Sequence, residues 1–259
     1  MEPKPFSDFL PAKSIDEVLE RLDNIIDKTV DLNNFLCAFA FVYRRTTYEV
    51  KIAIEAGRFE DAKRMEKMDV VFANLYLKAF YHFQFSKSLS KSWEFAFQSK
   101  EARITLVQHI LLGMNAHINL DLSIAASEVS KGRNIMDLKK DFMVINDILA
   151  ELTNSMQKNL SRVSFLMRLL DFFGFRTDEK IINFSIKKAR DFAWLNAMEL
   201  SLLDGNDKIT RISEIDTDVL ELSKKIKTPP GEFLKFVLRF ISFFEVRNPK
   251  KIIDKMRKA

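Results

Sequence analysis

The stretch ITLVQHILLGMNAHINL, Ile104–Leu120, decides the fold. Its seventeen residues include no formal charge, and it falls just short of the roughly 20 residues that cross a bilayer. It also carries too many polar side chains for a membrane span, because amide and imidazole groups interrupt the apolar run. We therefore predict a helix buried on all sides, near residues 103–129. The polar side chains within the stretch are Gln108, His109, Asn115, His117 and Asn119.

Glycine and proline divide the rest of the chain into helices. No proline occurs between Ala12 and Thr228, and most glycines separate segments with helical periodicity. Strand alternation and hairpin turns are missing from the pattern, which predicts an all-α protein, a single multi-helix bundle around the central helix. The predicted divisions are an N-terminal arm (1–13), an all-helical domain (14–246) and a basic C-terminal tail (247–259). Within the domain we predict a long periodic segment from about Met136 to Phe173, which is one bent helix or two with Asn154–Gln157 the likeliest break. We also predict a Pro-Gly break at 227–231 before a Phe-rich last helix.

Charge and cysteine usage restrict the functional classes. The chain of 259 residues has a net charge of +5, a mild basic excess that gathers at the C-terminus and predicts no nucleic-acid partner. Cys37 is the only cysteine, and the N-terminus lacks a signal-peptide pattern, so we expect a cytoplasmic protein. The Phe-rich last helix with its basic tail suits contact with an anionic membrane surface. The favoured alternative is that this helix caps the core and that the basic tail is exposed to solvent.

A helical projection at 100° per residue gives the central helix two polar stripes on opposite faces. Asn115 and Asn119 share one face with Gln108, whereas His117 and Asp121 lie on the other. A surface helix has one polar face, so this pattern indicates neighbours all round. Gly113 lies within the helix, where it indicates a close helix crossing or a space kept open.

The spacing of His117 and Asp121 places both side chains on one helix face. It suits a His–carboxylate dyad for acid–base chemistry, two ligands of one metal, or a purely structural buried pair. The chain has only three histidines and no H-E-x-x-H or cysteine cluster, so we predict no metal site. Neither a Walker A loop nor a Rossmann glycine pattern is present, and no cofactor is predicted.

Polar residues also fall on the predicted core faces of other helices. Tyr43 lies on that of the second helix, and Asp69 with Tyr76 on that of the third. Arg190 lies among small and aromatic residues on a later helix, which predicts a carboxylate partner because a buried charge requires one.

Two segments resemble an uncharacterised bacterial family of helical proteins. They are DVVFANLY (69–76) and LGMNAHINLDL (112–122), which match the family's F-A-N-x-Y and G-M-N-A-H-I-N-x-D-L motifs. The resemblance extends to about Leu203, and the family implies no established activity. Its motifs coincide with the polar core positions, which suggests one cluster. Within that cluster we predict that Arg190 pairs with Asp69 or Asp121.

Two functions follow from these residues. The first is an enzyme or binding protein for a small, partly apolar molecule, with His117 as acid or base and Asp121 orienting it. The second is a noncatalytic helical scaffold or interaction protein in which the cluster only sets helix register. Neither the substrate nor the oligomeric state is predicted. The ligand contacts in the first hypothesis are Tyr43, Asp69, Tyr76, Asn115, Asn119 and Arg190.

Overall fold

A computed structural model describes residues 9–161 and 178–257, with the backbone alone at 153–161, 178–185 and 234. Within these ranges the chain is all-α and forms no strand, as predicted. The helices are α1 (Ile15–Asp31), α2 (Leu36–Glu55), α3 (Ala62–Gln84), α4 (Lys91–Gln98), α5 (Leu106–Ala116), α6 (Leu122–Val129), α7 (Lys139–Ser161), α8 (Asp178–Leu200), α9 (Gly205–Lys227), α10 (Glu232–Phe244) and α11 (Pro249–Arg257).

The centre of the fold is the predicted buried helix, formed by α5, a π-helical segment at His117–Asp121, and α6. Helices α2, α3, α4, α8 and α9 all contact it and bury most of its side chains, although Leu111 is 40% exposed. Thr105 and Gln108 begin it with a reciprocal capping box: each side chain accepts a hydrogen bond from the other's backbone N–H. None of the described helices has the length and apolar character of a membrane span.

A side-chain cap defines the start of the first helix. Ser14 caps α1, and its hydroxyl accepts a hydrogen bond from the Glu17 N–H at 3.2 Å. Of the two alternatives for the long periodic segment, the break at 154–157 is wrong, because α7 continues through these residues to Ser161. The rest of the long periodic segment that we predicted from 136 to 173 lies outside the described residues beyond 161.

Three helix N-termini are held by carboxylates from distant parts of the chain. Asp141 on α7 accepts from the backbone N–H groups of residues 60 and 61, just before α3. Asp216 on α9 accepts from those of Lys91 and Ser92 at the start of α4. Glu245 accepts from Leu106 N–H at the start of α5. A carboxylate satisfies free N–H groups there and interacts favourably with the helix dipole, so these contacts fix how the helices pack.

The predicted basic tail is in fact a packed helix. Helix α11 buries Ile252, Ile253 and Met256 in the same apolar cluster that contains residues of α1 and α2. Apolar residues at positions i, i+1 and i+4 form one stripe, and that stripe makes burial favourable. Lysines and arginines lie on the outer face of α11, so the segment is basic but not a free tail.

Gly113 allows α5 to cross α2 closely. A Cβ atom at this position would lie 2.3 Å from Cγ of Phe39. We expect Gly113→Ala to lower the free energy of unfolding by about 1–3 kcal/mol, because the buried ring must move although alanine favours helix. Urea denaturation would measure this. In a Phe39→Ala background, which removes Cγ and the ring carbons, the same substitution should be less destabilising; an equal loss would contradict a clash with the ring.

Candidate functional site

A cavity of about 90 Å³ lies between α2, α3, α7, α8 and the central helix. It is smaller than the roughly 150 Å³ cavity that accepts benzene in an engineered protein, and large enough for several water molecules. Its walls are mainly apolar, which favours a ligand with a small apolar body. The polar residues on the walls are Tyr43, Thr46, Asp69, His117 and Arg190; the apolar ones are Phe39, Val42, Val50, Met65, Met68, Phe72, Met114, Ile118, Leu122, Ile145, Leu149 and Ile186.

His117 and Asp121 form the predicted pair. Nδ1 of His117 lies 2.9 Å from Oδ2 of Asp121, and Trp93 donates its indole N–H to the same oxygen at 2.9 Å. Two donors on one oxygen fit a carboxylate that accepts from Nδ1–H. In that arrangement Nε2 of His117 carries the lone pair. Nε2 is buried and has no hydrogen-bond partner among the described residues.

Aromatic rings hold the imidazole in place. Phe72 stacks on it with ring centroids 3.6 Å apart, and Tyr43 meets it edge-on at 4.3 Å. Burial among these rings lowers the pKa of His117 well below its ordinary value, and burial raises that of Asp121. The imidazole is therefore neutral near pH 7 and can accept a hydrogen bond or a proton.

The pair lies at the two ends of the π-helical segment. The Leu122 N–H bonds to the His117 carbonyl, five residues back instead of four. Such single turns of π-helix are rare, and they occur often at functional sites. The sequence offered no signal for this turn, because its residues fit an ordinary helical projection.

Asp69 brings a second ionisable group to the cavity. Its Oδ2 is buried without a hydrogen-bond partner in the described part of the chain. Burial, with a further contribution from the charge of Glu66, raises the pKa of Asp69 to about 7. Both protonation states of this carboxyl are therefore populated near neutral pH, a property that is common at catalytic sites.

Tyr43 adds a hydroxyl to the same walls. Burial raises its pKa well above the ordinary value, and the charge of Asp69 raises it further. The hydroxyl lies close to that of Thr47 but forms no hydrogen bond of normal geometry with it. Tyr43 therefore stays protonated and can donate to a bound molecule.

Arg190 lines the cavity, but the prediction that it pairs with Asp69 or Asp121 is wrong. Its Nε donates to Oδ1 of Asn146 and its Nη2 to the Phe142 carbonyl, each at 2.6 Å, and its guanidinium lies 4.3 Å from the centre of the Phe142 ring. Neutral carbonyl groups on α7 thus take the place of the expected carboxylate. Burial lowers the pKa of Arg190 to about 9, so it remains a cation at neutral pH.

Asn115 and Asn119 lie away from the cavity, on the face of the central helix that meets α9. Asn115 donates to the Val219 carbonyl at 2.8 Å and to the Ser223 hydroxyl, and Asn119 donates to Asn115. Tyr76 is buried against Phe39 and Tyr43 beside the cavity, without lining it. Of the predicted ligand contacts, the structure thus brings Tyr43, Asp69 and Arg190 together with His117.

Sequence reasoning missed the roles of Trp93 and Phe72. Trp93 lies on α4, and its indole N–H donates to Asp121. Phe72 is part of the F-A-N-x-Y segment and stacks on His117. In the part of the chain that the structure describes, no group of three or more His, Cys, Asp or Glu side chains is placed to hold a metal ion.

One family model matches residues 15–229, and the chain therefore belongs to that family, DUF5995, a family of unknown function. The match includes every residue of the cavity and ends just before α10 and α11. Neither the curated proteins nor the solved structures include a match to the chain.

Proposed function

We propose that this member of DUF5995 binds a small, partly apolar molecule with an anionic group in the cavity beside His117. The observation that carries the proposal is a set of buried polar atoms without partners among the described residues, on otherwise apolar walls. They are Nε2 of His117, Oδ2 of Asp69 and the Tyr43 hydroxyl. An unsatisfied buried polar group is destabilising by about 1–3 kcal/mol, so three beside one cavity favour a ligand that satisfies them.

Arg190 supports an anionic ligand. Arg190 is only 4% exposed, and the contacts of its Nε and Nη2 in the described part of the chain are to neutral oxygens, although the charge of Asp191 also acts on it. A buried cation is strongly stabilised by an anion, and a guanidinium binds a carboxylate through two parallel N–H groups. Only Nε and Nη2 of its nitrogens donate to the neighbours named above.

His117 and Asp69 support proton transfer with the bound molecule. The neutral imidazole has its Nδ1 held by Asp121, which orients Nε2 as hydrogen-bond acceptor or base. Asp69, with a pKa of about 7, can donate when protonated and accept when ionised. Cys37 does not line the cavity, and burial raises the pKa of its thiol to about 12, so it supports no nucleophilic role. General acid–base chemistry is thus the reaction class that these groups favour.

Binding can be tested with small carboxylates of matched size. We expect the wild-type protein to bind short hydroxycarboxylates such as lactate or 3-hydroxybutyrate, whose hydroxyl can donate to Nε2 of His117, more tightly than the corresponding amides in titration calorimetry. His117→Gln should weaken this binding at least about tenfold, which is about 1.4 kcal/mol. Arg190→Gln should remove the preference for carboxylates over amides, because it removes the cation.

His109→Gln is the matched control. His109 is also a buried histidine with a lowered pKa, but it stacks on Phe35 and does not line the cavity. This variant should bind as the wild type does. The proposal would be refuted if the wild type bound neither the carboxylates nor the amides. It would also be refuted if both histidine variants weakened binding equally. A large loss of melting temperature in His117→Gln alone, with no ligand bound by the wild type, would favour the scaffold function.

A further inference from the structure

Helix α10 exposes a continuous phenylalanine surface. We define the Phe face as Phe233, Phe236, Phe240, Phe243 and Phe244, which are 53% to 82% exposed. At 100° per residue these five positions lie within about 100° of one another, whereas Ile241 and Ser242 on the other side are buried. The exposed apolar area is on the order of 600 Å², since one phenylalanine buries roughly 150–250 Å². A monomeric protein rarely exposes an apolar patch of this size without an interaction partner.

The net charge of the chain falls in the same C-terminal segment of the sequence as this face. Residues 230–259 hold eight basic and three acidic residues, so they carry the whole net charge of +5, and residues 1–229 are balanced. Arg103 lies against the Phe243 ring at 4.7 Å from its centre, and Arg239 is exposed on α10 itself. Helix α11, the next helix along the chain, carries further lysines and arginines. The family match ends at residue 229, so the Phe face and the charge both lie outside the matched domain.

We propose that α10 docks this protein onto an anionic lipid bilayer surface. The phenylalanine rings insert at the level of the headgroups, and the basic residues contact anionic headgroups. Charge complementarity favours this partner over a second copy of the chain. Two segments that each carry +5 repel one another, whereas an anionic bilayer attracts both the rings and the charges. The helix lies on the surface, since none of the described helices is suited to span a membrane.

Co-sedimentation of the full chain with vesicles tests the proposal. We expect binding to vesicles of phosphatidylcholine with about one third phosphatidylserine at about 50 mM NaCl, and at least several-fold weaker binding at about 500 mM NaCl. Vesicles of phosphatidylcholine alone should bind much less. Phe236→Ser/Phe240→Ser should lower binding about tenfold or more, because exposed rings leave the fold intact when they are replaced. Arg103→Gln/Arg239→Gln should lower binding to anionic vesicles only.

The matched control is Leu202→Ser, which removes an 85% exposed apolar side chain outside α10. It should bind vesicles as the wild type does. Equal binding to neutral and anionic vesicles, or unchanged binding by the double Phe variant, would overturn the proposal. Sedimentation velocity without lipid gives a further check, since a dimer that the Phe substitutions dissociate would assign the face to a second copy instead.

Discussion

Replacing Asp69 by asparagine should stabilise the protein at pH 8 by up to about 4 kcal/mol. Burial raises the pKa of this carboxyl from 3.8 to about 7 in the folded protein. The unfolded chain therefore loses its proton near pH 4, while the folded chain keeps it until about pH 7. Between these values the folded state binds more protons, so stability falls as pH rises, by about 1.4 kcal/mol for each pKa unit of difference. Asparagine has the shape of the neutral carboxyl and does not titrate.

Urea denaturation at pH 4, 6 and 8 would measure this effect. The wild type and Asp69→Asn should agree near pH 4 and diverge as pH rises to 7, after which the difference stays constant. Glu66→Gln is the control, because Glu66 is exposed and adds only to the effect of burial on Asp69. Glu66→Gln should reproduce only a minor part of the stabilisation that Asp69→Asn gives at pH 8. If Asp69→Asn were less stable than the wild type at pH 8, the ionised carboxylate of Asp69 would have a stabilising partner.

Asp216→Ala should lower the free energy of unfolding by about 3 kcal/mol or more. The buried carboxylate accepts the Lys91 N–H at 2.7 Å, the Ser92 N–H at 3.0 Å and the Ser92 hydroxyl at 2.6 Å. Hydrogen bonds to charged groups contribute about 1.5–3 kcal/mol, and two backbone donors at the start of α4 would be left unsatisfied. Because α4 carries Trp93, the substitution should also loosen the hydrogen bond that holds Asp121.

Chemical denaturation and tryptophan fluorescence would follow both effects. Glu221→Ala is the matched control, since Glu221 is an exposed residue of the same helix that pairs with Lys224 on the surface. It should change stability by less than about 1 kcal/mol. Ser92→Ala should fall between the two variants, because it removes only the hydroxyl contact. An Asp216→Ala protein as stable as Glu221→Ala would contradict the capping role.

The sequence alone predicted the part of the site that lies on the central helix, the pair His117 and Asp121. Residues four apart on a helix share a face, so the contact between His117 and Asp121 needed no tertiary information. The same projection placed Asn115 and Asn119 on the opposite face, where they meet α9. It did not show which face borders a cavity, since that depends on how well the neighbouring helices fill the space around them.

The sequence could not identify the hydrogen-bond partners of Arg190, for a different reason. Any carboxylate or carbonyl group near a buried guanidinium satisfies part of it, and the pattern of α8 does not distinguish among them. The structure provides Asn146 and the Phe142 carbonyl, one turn apart on α7. The error is informative, because a cation with neutral partners retains its affinity for an anion.

By itself the sequence determined the helical class and the buried central helix with its two polar faces, and it marked Gly113 as either a close crossing or an open space. These properties depend on periodicity and on side-chain size, which act over a few residues. Only the tertiary structure decided the π-helical turn at His117, the packing of α11, and the carboxylates that cap α3, α4 and α5 across 80 to 139 residues. Such contacts form between groups far apart in the chain, so no local pattern specifies them before the helices pack.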